Sequence, residues 1–348
     1  MLETALGCCK TYGEITLKTR RLGPFQVSEI GFGCMNFSHG YGKPIPDNVS
    51  IQILNRALDL GVTLFDTAAV YGFGLNETLL SRWVGPVRDQ ITLCSKGGMS
   101  GEMTDNGYQR KIDSSAATIR QNCEDSLKRL GVDVIDLYYV HRWDKTTPIE
   151  EVAYAMGELV RAGKIRSIGF SEISASTLRK AHAVHPVAAV QSEYSLWTRN
   201  PEIALRDTCR ELGVNLVAFS PLGRKFLTGR FTSLSDYSHQ DLRQKMPRFL
   251  PGALEQNLSL LPGLEGLARE AGCSMAQLSL AWVLAQGDHI VPIPGTTNLA
   301  HLEEDMSTSD LAIPADILQR AGGLINEQTV MGARYDAVAQ ASVDTEDF

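Results

Sequence analysis

The chain has 348 residues, 43% of them hydrophobic, and a formal charge of −7 that is spread without long runs of one sign. Such a chain can bury a large core, as one large α/β domain or as two ordinary domains. The dispersed acidic balance argues against a nucleic-acid-binding protein, which would present a basic face. The sequence contains no apolar run of bilayer length and no signal-peptide pattern at its start, so we expect no membrane association.

The cysteines predict a reducing, cytoplasmic environment. There are seven of them, an odd number, without a CxxC pair, and all except the adjacent Cys8 and Cys9 fall in or beside apolar segments. Buried thiols fit this pattern better than a disulfide framework does. The ligand spacing of a structural zinc site is also missing, so we expect no metal.

The first part of the chain predicts a small hairpin and one internal strand. Residues 1–18 resemble an N-terminal extension, although residues 15–18 could pair with residues 27–29. Residues 27–33 predict the first internal strand, which ends in Gly-Phe-Gly. A loop rather than a helix follows this GxG, so it lacks the structural context of a dinucleotide-binding fingerprint. Asp47 is expected to cap the first helix, which Gly61 closes.

From that point the pattern strand, loop, helix, glycine repeats, giving eight strand–helix units in total. The third strand is followed by a long loop before its helix, and the seventh by an excursion and two helices. The remaining predicted strands cover residues 62–65, 91–94, 134–140, 165–170, 188–191, 215–219 and 290–293. The predicted helices cover residues 77–84, 114–130, 149–161, 175–182, 202–212, 258–271, 275–285 and 299–306, after the one that begins at residue 47.

This order of elements favours a closed (β/α)8 TIM barrel. Strands that are continuous apolar runs, separated by amphipathic helices, indicate a parallel sheet covered on both faces. Eight units in roughly 270 residues fit a barrel, whereas a doubly wound open sheet would normally carry a glycine-rich first turn. No change of composition marks a domain boundary. We therefore predict one domain over residues 1–348, with an extension at 1–18 and a tail at 326–348.

Ionisable side chains follow three successive strands of this predicted barrel. Asp66, Lys96 and His141 end the second, third and fourth strands, and Tyr71 follows Asp66 by five residues. In a barrel, the carboxyl ends of all strands meet on one face, where active sites lie. Each residue alone has a structural interpretation: a turn cap for Asp66, a rim charge for Lys96 and a core histidine for His141. Together they predict an active site.

The types of these residues restrict the reactions that such a site could catalyse. Carboxylates and histidines are too few for a metal site, and no Ser or Cys lies in an elbow beside a base. A phenol has a pKa of about 10, and a neighbouring ammonium is expected to lower it, so Tyr71 beside Lys96 suggests a general acid. Asp66 would keep Lys96 charged, and His141 would orient a carbonyl oxygen. This set suits protonation of an oxyanion as a hydride arrives, which requires a nicotinamide cofactor.

Several stretches of the chain, in this order, carry a resemblance to a known family. They are Ile30-Gly-Phe-Gly-Cys-Met, Gly61-Val-Thr-Leu-Phe-Asp-Thr-Ala-Ala-Val-Tyr-Gly, Leu93-Cys-Ser-Lys, Asp136-Leu-Tyr-Tyr-Val-His, Gly163-Lys-Ile-Arg-Ser-Ile-Gly-Phe-Ser, Gln191-Ser-Glu-Tyr-Ser-Leu, Phe219-Ser-Pro-Leu-Gly-Arg and Ile293-Pro-Gly-Thr-Thr. With them, the chain resembles the aldo-keto reductases from Arg21 to about Asp305. The resemblance implies a (β/α)8 barrel and NADPH-linked, usually reversible, reduction of aldehydes or ketones. The family's catalytic tetrad then falls on Asp66, Tyr71, Lys96 and His141, with Tyr71 as the acid.

The resemblance also implies residues that bind the nicotinamide half of the cofactor. Ser171 and Gln191 would hold the carboxamide, and Phe219 would stack on the ring. Glu172 occupies a position where many members have Asn, which departs from the family pattern. The pyrophosphate would lie along Ser220, Leu222 and Gly223.

The residues expected to bind the adenosine half of the cofactor depart further from the family pattern. NADP-specific members usually have Lys or Arg just after the glycine of strand eight and Arg a few residues later. Here Gly295 is followed by Thr296 and Thr297, and His301 stands where the later Arg often falls. A 2′-phosphate prefers fixed positive charge, which Arg224 or Lys225 would have to supply. NADP(H) is the preferred cofactor and NAD(H) the alternative, with Glu304 in the position that usually contacts the adenine.

The substrate pocket is less defined by the sequence. Residues just past strand ends form a candidate pocket wall, or merely pack the loops. The excursion over residues 228–257 carries several basic residues and is either a lid or a surface loop. The tail ends with acidic residues and is either partly disordered or crosses the barrel mouth. The candidate wall residues are Met35, Phe37, Phe73, Trp143 and Trp197, and the basic residues of the excursion are Arg230, Arg243, Lys245 and Arg248.

Two other functions compete with a reductase. Some relatives with this fold keep the tetrad and cofactor but serve as regulatory channel subunits with little turnover. A barrel lyase would use Lys96 as a Schiff base, although Asp66 close by should keep that lysine protonated. The natural carbonyl, the preferred direction and the oligomeric state are not determined by the sequence.

Overall fold

The computed structural model describes residues 17–38, 40–104, 107–231, 233–239 and 241–348, without the side chains of 102–104 and 107–110. Most strands of the barrel sheet are short and buried along their whole length, as expected for a parallel sheet with both faces covered. The strands are β1 Thr19–Leu22, β2 Phe25–Ser28, β3 Phe32–Gly33, β4 Leu64–Asp66, β5 Thr92–Gly97, β6 Met99–Thr104, β7 Gly107–Ile112, β8 Ile135–Val140, β9 Ile165–Ser171, β10 Val187–Glu193, β11 Asn215–Phe219 and β12 Ile290–Pro292.

The helices begin at identifiable caps. The side chains of Ser115, Ser174, Ser274 and Asn298 each accept a hydrogen bond from the backbone N–H three residues later. These contacts satisfy N–H groups that have no partner within the helix. The helices are α1 Asp47–Asp59, α2 Leu75–Val87, α3 Ala116–Leu130, α4 Ile149–Arg161, α5 Ala175–Val184, α6 Leu205–Leu212, α7 Ala253–Leu258, α8 Leu261–Glu270, α9 Met275–Leu284, α10 Leu299–Met306, α11 Ala315–Leu324 and α12 Ala337–Ala341.

Eight strands form one parallel sheet that closes on itself. Their order is β3, β4, β5, β8, β9, β10, β11, β12. The two end strands meet, because the N–H of Gly31 donates to the Pro292 carbonyl (2.9 Å) and the N–H of Gly33 to the Pro294 carbonyl (3.0 Å). The approach is so close that a Cβ on Gly295 would lie 2.4 Å from the Gly33 oxygen. The predicted (β/α)8 barrel is confirmed.

The alternation of side chains along each strand separates two layers of core. Residues such as Leu64, Cys94 and Tyr139 belong to a small cluster inside the barrel. Their neighbours Phe65, Leu93 and Tyr138 belong to the large cluster between the barrel and the helices. Successive side chains of a strand point to opposite faces, so the residue two positions beyond an interior residue also points inward.

Four local predictions are corrected. Residues 27–33 are not one strand: β2 pairs antiparallel with β1, Leu22 opposite Phe25, and only Phe32–Gly33 joins the barrel. The predicted partner of this hairpin was placed too early, and residues 15–16 lie outside the described part. The long loop after β5 contains the antiparallel pair β6 and β7. Asp47 is the first residue of α1, after the cap residue Pro46.

Cys34, Cys94, Cys123, Cys209 and Cys273 are free thiols, and all but Cys273 are buried. Cys8 and Cys9 lie outside the described residues. Across the part of the chain that the structure describes, helices are too short or too polar to cross a bilayer, and no cluster of His, Cys, Asp and Glu suits a metal ion. The single-domain organisation stays a prediction.

Candidate active site

The barrel brings the predicted catalytic residues together by strand alternation. Asp66 lies two residues beyond Leu64, Lys96 two beyond Cys94, and His141 two beyond Tyr139, each an interior residue. All three side chains therefore point into the barrel at its C-terminal end. Asp66, Lys96 and His141 are at most 6% exposed. Lys96 stands opposite Tyr139 in the parallel pairing of β5 and β8, and His141 lies two residues beyond Tyr139.

Lys96 is the centre of the hydrogen-bond network. Its side chain is fully buried, and its ammonium donates to the Asp66 carboxylate, to the Thr67 carbonyl (2.8 Å) and to the Tyr71 Oη (3.3 Å). Burial alone would lower the pKa of Lys96, but the charges and hydrogen bonds of Asp66 and Tyr71 raise it above its usual value. The lysine is therefore a cation at neutral pH. This does not suit a Schiff-base nucleophile.

Tyr71 lies between Lys96 and His141. The Lys96 Nζ is 5.0 Å from the centre of the Tyr71 ring, and the His141 ring meets it edge-on at 5.8 Å. Burial raises the pKa of Tyr71 above the usual phenol value, and Lys96 opposes this only in part. The expectation of a lowered pKa was wrong in this respect, because desolvation of the phenolate outweighs the ammonium.

Above these residues lies a cavity of about 1140 Å³, lined by Asp66, Tyr71 and His141 at its base. Small-molecule sites typically measure roughly 300–1,000 Å³, so this cavity has room for a large cofactor together with a small substrate. Ten of the twelve predicted cofactor residues line it, namely Ser171, Gln191, Phe219, Ser220, Leu222, Arg224, Gly295, Thr296, Thr297 and His301.

Two predicted cofactor residues, Gly223 and Glu304, are not among the residues that line the cavity. Gly223 lies between the lining residues Leu222 and Arg224, with φ at +56°, and a Cβ there would come within 3.0 Å of Trp197. Glu304 accepts two hydrogen bonds from Arg230, at 2.8 and 3.1 Å, while its neighbour Asp305 lines the cavity. Burial and Glu304 raise the pKa of Asp305 well above its usual value.

Arg224 and Lys225 are the two candidates for binding a phosphate, and the charges around them differ. Arg224 is buried and donates to Glu193 (2.9 Å) and Tyr41 (3.0 Å), so its charge is already balanced. Lys225 lines the cavity and donates to the Tyr237 hydroxyl (2.9 Å), without an acidic partner among the described residues. Burial lowers the pKa of His301, which is therefore neutral at pH 7 and contributes no fixed charge. Lys225 is the better candidate of the two.

Four of the five predicted pocket-wall residues lie away from the cavity lining. Met35 lines the cavity, whereas Phe37 packs against Phe32 in the core, with ring centres 5.6 Å apart. Phe73 is 54% exposed. Trp143 donates to the Thr147 carbonyl (2.7 Å), and Trp197 stacks on Phe226 at 3.9 Å. A position just past a strand end does not determine which way the side chain turns.

The excursion over residues 228–257 forms one side of the cavity. Leu242, Arg243, Lys245 and Met246 line it, and the N–H of Leu242 donates to the Gly40 carbonyl (3.1 Å). Arg243 is buried, forms two hydrogen bonds with the Asp241 carboxylate (2.7 and 2.8 Å) and lies 3.8 Å from the Tyr237 ring centre. This packing places the excursion over the cavity, as expected of a lid rather than of a separate surface loop.

The C-terminal tail crosses the barrel mouth, which was one of the two expectations for it. Arg334 donates to the buried Glu172 and lies within 4.0 Å of Glu193. Farther along, the Asp344 N–H donates to the Glu172 carbonyl (2.9 Å), and its carboxylate accepts from the Ser174 N–H (3.0 Å). The tail residues that line the cavity are Tyr335, Asp336, Val338, Ala339 and Ser342.

Several lining residues were not identified from the sequence. Arg142 directly follows His141 at the end of β8 and donates to the Ser171 hydroxyl (3.0 Å). A search extending two residues past each strand end would have found it. Tyr41 and Tyr335 both accept hydrogen bonds from Arg224, and their loops carry no periodic signal that predicts this contact.

Comparisons with known proteins identify the family to which the chain is similar. The sequence model of the family described as Aldo/keto reductase family matches residues 29–323. The chain is 40% identical over 334 residues to a Schizosaccharomyces pombe protein named aldo-keto reductase yakc, NADP(+), covering 94% of this chain and 97% of that protein. Glycerol dehydrogenase AKR11B4 from Gluconobacter oxydans has a similar structure, with a TM-score of 0.81, 28% identity and coverage of 92% and 98%. Aldo-keto reductase AKR11C1 from Bacillus halodurans, in a holo form, gives a TM-score of 0.74 at 26% identity, covering 92% and 99%.

Proposed function

The chain belongs to the aldo/keto reductase family, and we propose that it transfers a hydride reversibly between NADP(H) and an aldehyde or ketone, with Tyr71 as the proton donor. The observation that carries the proposal is the buried contact of Lys96 with both Asp66 and Tyr71 at the base of the cavity. The nicotinamide, when bound, supplies or accepts the hydride.

The side chains of the site would donate the proton and stabilise the charge that its transfer leaves. Tyr71, kept protonated by its buried position, donates to the carbonyl oxygen as negative charge develops on it. Lys96 stabilises the phenolate that forms, because its ammonium already contacts the Tyr71 oxygen at 3.3 Å. Asp66 keeps Lys96 charged and in position. His141, whose ring meets that of Tyr71 edge-on, is placed to orient the same carbonyl oxygen.

The cavity fits a nicotinamide dinucleotide. Gln191 and Ser171 offer amide and hydroxyl groups beside Asp66 and His141, suited to a carboxamide, and Phe219 offers an apolar face. Lys225 and Lys245 line the cavity and have no ion pair with described residues, so their charges suit the phosphates. The yeast relative is named for NADP(+), and the free charge of Lys225 favours the same cofactor here. NAD(H) is the alternative.

The test is a titration of NADPH and NADH into the purified protein, followed by assay of a panel of aldehydes and ketones at the reduced-nicotinamide absorbance. The native protein is compared with Tyr71→Phe, which removes only the hydroxyl. We expect NADPH to bind both proteins and turnover to fall at least 100-fold in the variant, within the range for a lost general acid. Cofactor binding without turnover in the native protein would favour the regulatory-subunit alternative, and failure to bind either cofactor would exclude a reductase.

A further inference from the structure

Arg142 is a cation on the cavity wall to which the proposed reaction gives no role. It follows His141 at the end of β8, and its side chain lines the cavity. Its Nη1 donates to the His141 carbonyl (2.6 Å) and to the Ser171 hydroxyl (3.0 Å). A guanidinium carries donors on three nitrogens. The Nε and Nη2 donors of Arg142 therefore remain open to a ligand.

The other arginines of the cavity are each neutralised by an acid. In the described part of the chain, Arg224 pairs with Glu193 (2.9 Å), Arg230 with Glu304 (2.8 Å) and Arg243 with Asp241 (2.7 Å). Arg142 has no such pair among the described residues, which distinguishes it from every other arginine that the structure places on this wall.

Glu172, the acid whose pKa Arg142 affects, already accepts hydrogen bonds from other groups. Arg142 lowers the pKa of Glu172, but the Glu172 carboxylate accepts hydrogen bonds from Arg334, from the Ser192 hydroxyl (3.1 Å) and from the Glu193 N–H (2.9 Å). Glu172 therefore has little capacity left to bind Arg142 directly. The positive charge of Arg142 remains directed at the cavity.

This charge lies beside the proposed proton donor and next to apolar side chains. Arg142 acts on Tyr71 electrostatically, in the direction that lowers its pKa. Around Tyr71, Val70 and Met99 form a small apolar cluster against which Met35 and Ile112 pack. Arg142 is half-buried and has no ion pair with a described acid, so an anionic group in the cavity could accept charged hydrogen bonds from it.

We propose that Arg142 binds a carboxylate of the carbonyl substrate, so that the preferred substrates are aldehydes or ketones with a carboxylate on an apolar body. This inference rests on the proposed reductase function. The planar guanidinium binds a carboxylate through two parallel hydrogen bonds, which fixes the orientation of the substrate as well as its affinity. The carboxylate would hold one end of the substrate while its carbonyl lies at Tyr71 and His141.

The test uses two aldehydes that differ in charge and by one methyl group, 4-carboxybenzaldehyde and its methyl ester, with NADPH. Native protein, Arg142→Met, Arg142→Lys and a control, Arg269→Met, are compared; Arg269 is an exposed residue of α8. We expect the native protein to favour the carboxylate. In Arg142→Met, kcat/KM for the carboxylate should fall roughly 10- to 100-fold, mainly through KM, as for a lost charged hydrogen bond. The ester should change less than about threefold, and Arg142→Lys should retain part of the preference.

Binding gives a second measurement that does not depend on turnover. Calorimetry of benzoate with the NADP+ complex should show affinity at least tenfold weaker in Arg142→Met, with NADPH affinity unchanged. Equal losses for both aldehydes, weaker NADPH binding, or unchanged benzoate affinity would overturn the assignment and make Arg142 a cofactor-positioning or structural residue. Turnover of the ester without any preference for charge refutes only this inference, whereas absence of turnover with every aldehyde refutes the reductase function as well.

Discussion

The buried pair of Asp66 and Lys96 predicts a measurable loss of stability when one partner alone is neutralised. In Asp66→Asn, the Lys96 ammonium stays fully buried with neutral acceptors alone: the new amide oxygen, the Thr67 carbonyl at 2.8 Å and the Tyr71 hydroxyl at 3.3 Å. Removing one partner of a buried ion pair costs about 3–5 kcal/mol, because an uncompensated charge is left in the interior.

This cost corresponds to a shift in the melting temperature. An unfolding entropy of roughly 2.1 cal/mol/K per residue gives about 0.7 kcal/mol/K for a chain of this length. The expected decrease in Tm for Asp66→Asn is therefore about 4–7 °C. The pKa of Lys96 is raised in the folded protein, so the stability from the pair is complete below the unfolded lysine pKa and is lost as pH rises through the folded value. The difference in stability between the variant and the native protein should therefore become smaller at strongly alkaline pH.

The assay is thermal unfolding of Asp66→Asn, Lys96→Met and the double variant, followed by circular dichroism. The double variant contains no unpaired charge and should be more stable than Asp66→Asn alone. Asp47→Asn is the control, because its pair with Arg82 is more than half exposed and should contribute about 1 kcal/mol or less. A double variant that loses the sum of both single effects, or an Asp66→Asn protein that melts like the native one, would refute the reasoning.

Two further predictions follow from the buried charges. Because burial raises the pKa of Tyr71, kcat/KM for carbonyl reduction should stay level from about pH 7 to 9 and fall only above the ordinary phenol pKa of about 10; a decline beginning near neutrality in a pH–rate profile would contradict this. In Arg334→Met, the buried Glu172 loses its main cation, and stability should fall by about 3–5 kcal/mol. Limited proteolysis should then cleave the tail first, whereas Arg320→Met, at a half-exposed pair, should behave like the native protein.

The barrel, and the meeting of the proposed catalytic residues at one end of it, were predictable because they follow from local periodicity. Apolar runs and glycine-terminated helices identify the strands, and the inward alternation then fixes the direction of any side chain at a strand end. Asp66, Lys96 and His141 each stand two residues past an interior residue. Gln191, two residues past Ala189, follows the same rule and donates to Asp66 at 2.9 Å.

Loop contacts were not predictable in this way. Met35, Phe37 and Trp197 all lie within four residues of a strand end, yet Phe37 and Trp197 are buried in the core while Met35 lines the cavity. Outside a strand no alternation fixes the side-chain direction, so tertiary packing decides it. The pKa of Tyr71 also depends on how completely the fold removes water from the phenol, which residue types and spacing do not reveal.

Glu172 connects the cavity mouth to the C-terminal tail. Glu172 adopts a positive φ of 58° and recruits Arg334 from the tail, 162 residues away in sequence. Burial alone would raise the pKa of this carboxyl, but Arg334 and Arg142 hold it below its usual value, so it remains an anion. A buried anion requires a partner, and the tail that supplies Arg334 is thereby fixed across the mouth.

Once these acids are occupied, Lys225, Lys245 and Arg142 are the cavity cations without an ion pair among the described residues, and Lys225 and Arg142 stand at separate places. Lys225 follows β11, and Arg142 follows β8, three strands away around the barrel. A ligand with anionic groups at one place only would leave one cation uncompensated. A phosphorylated dinucleotide at Lys225 and a carboxylate substrate at Arg142 would satisfy both, with the reacting carbonyl between them at Tyr71. The distribution of unpaired charge therefore supports the same two ligands that the proposed function and the Arg142 assignment require.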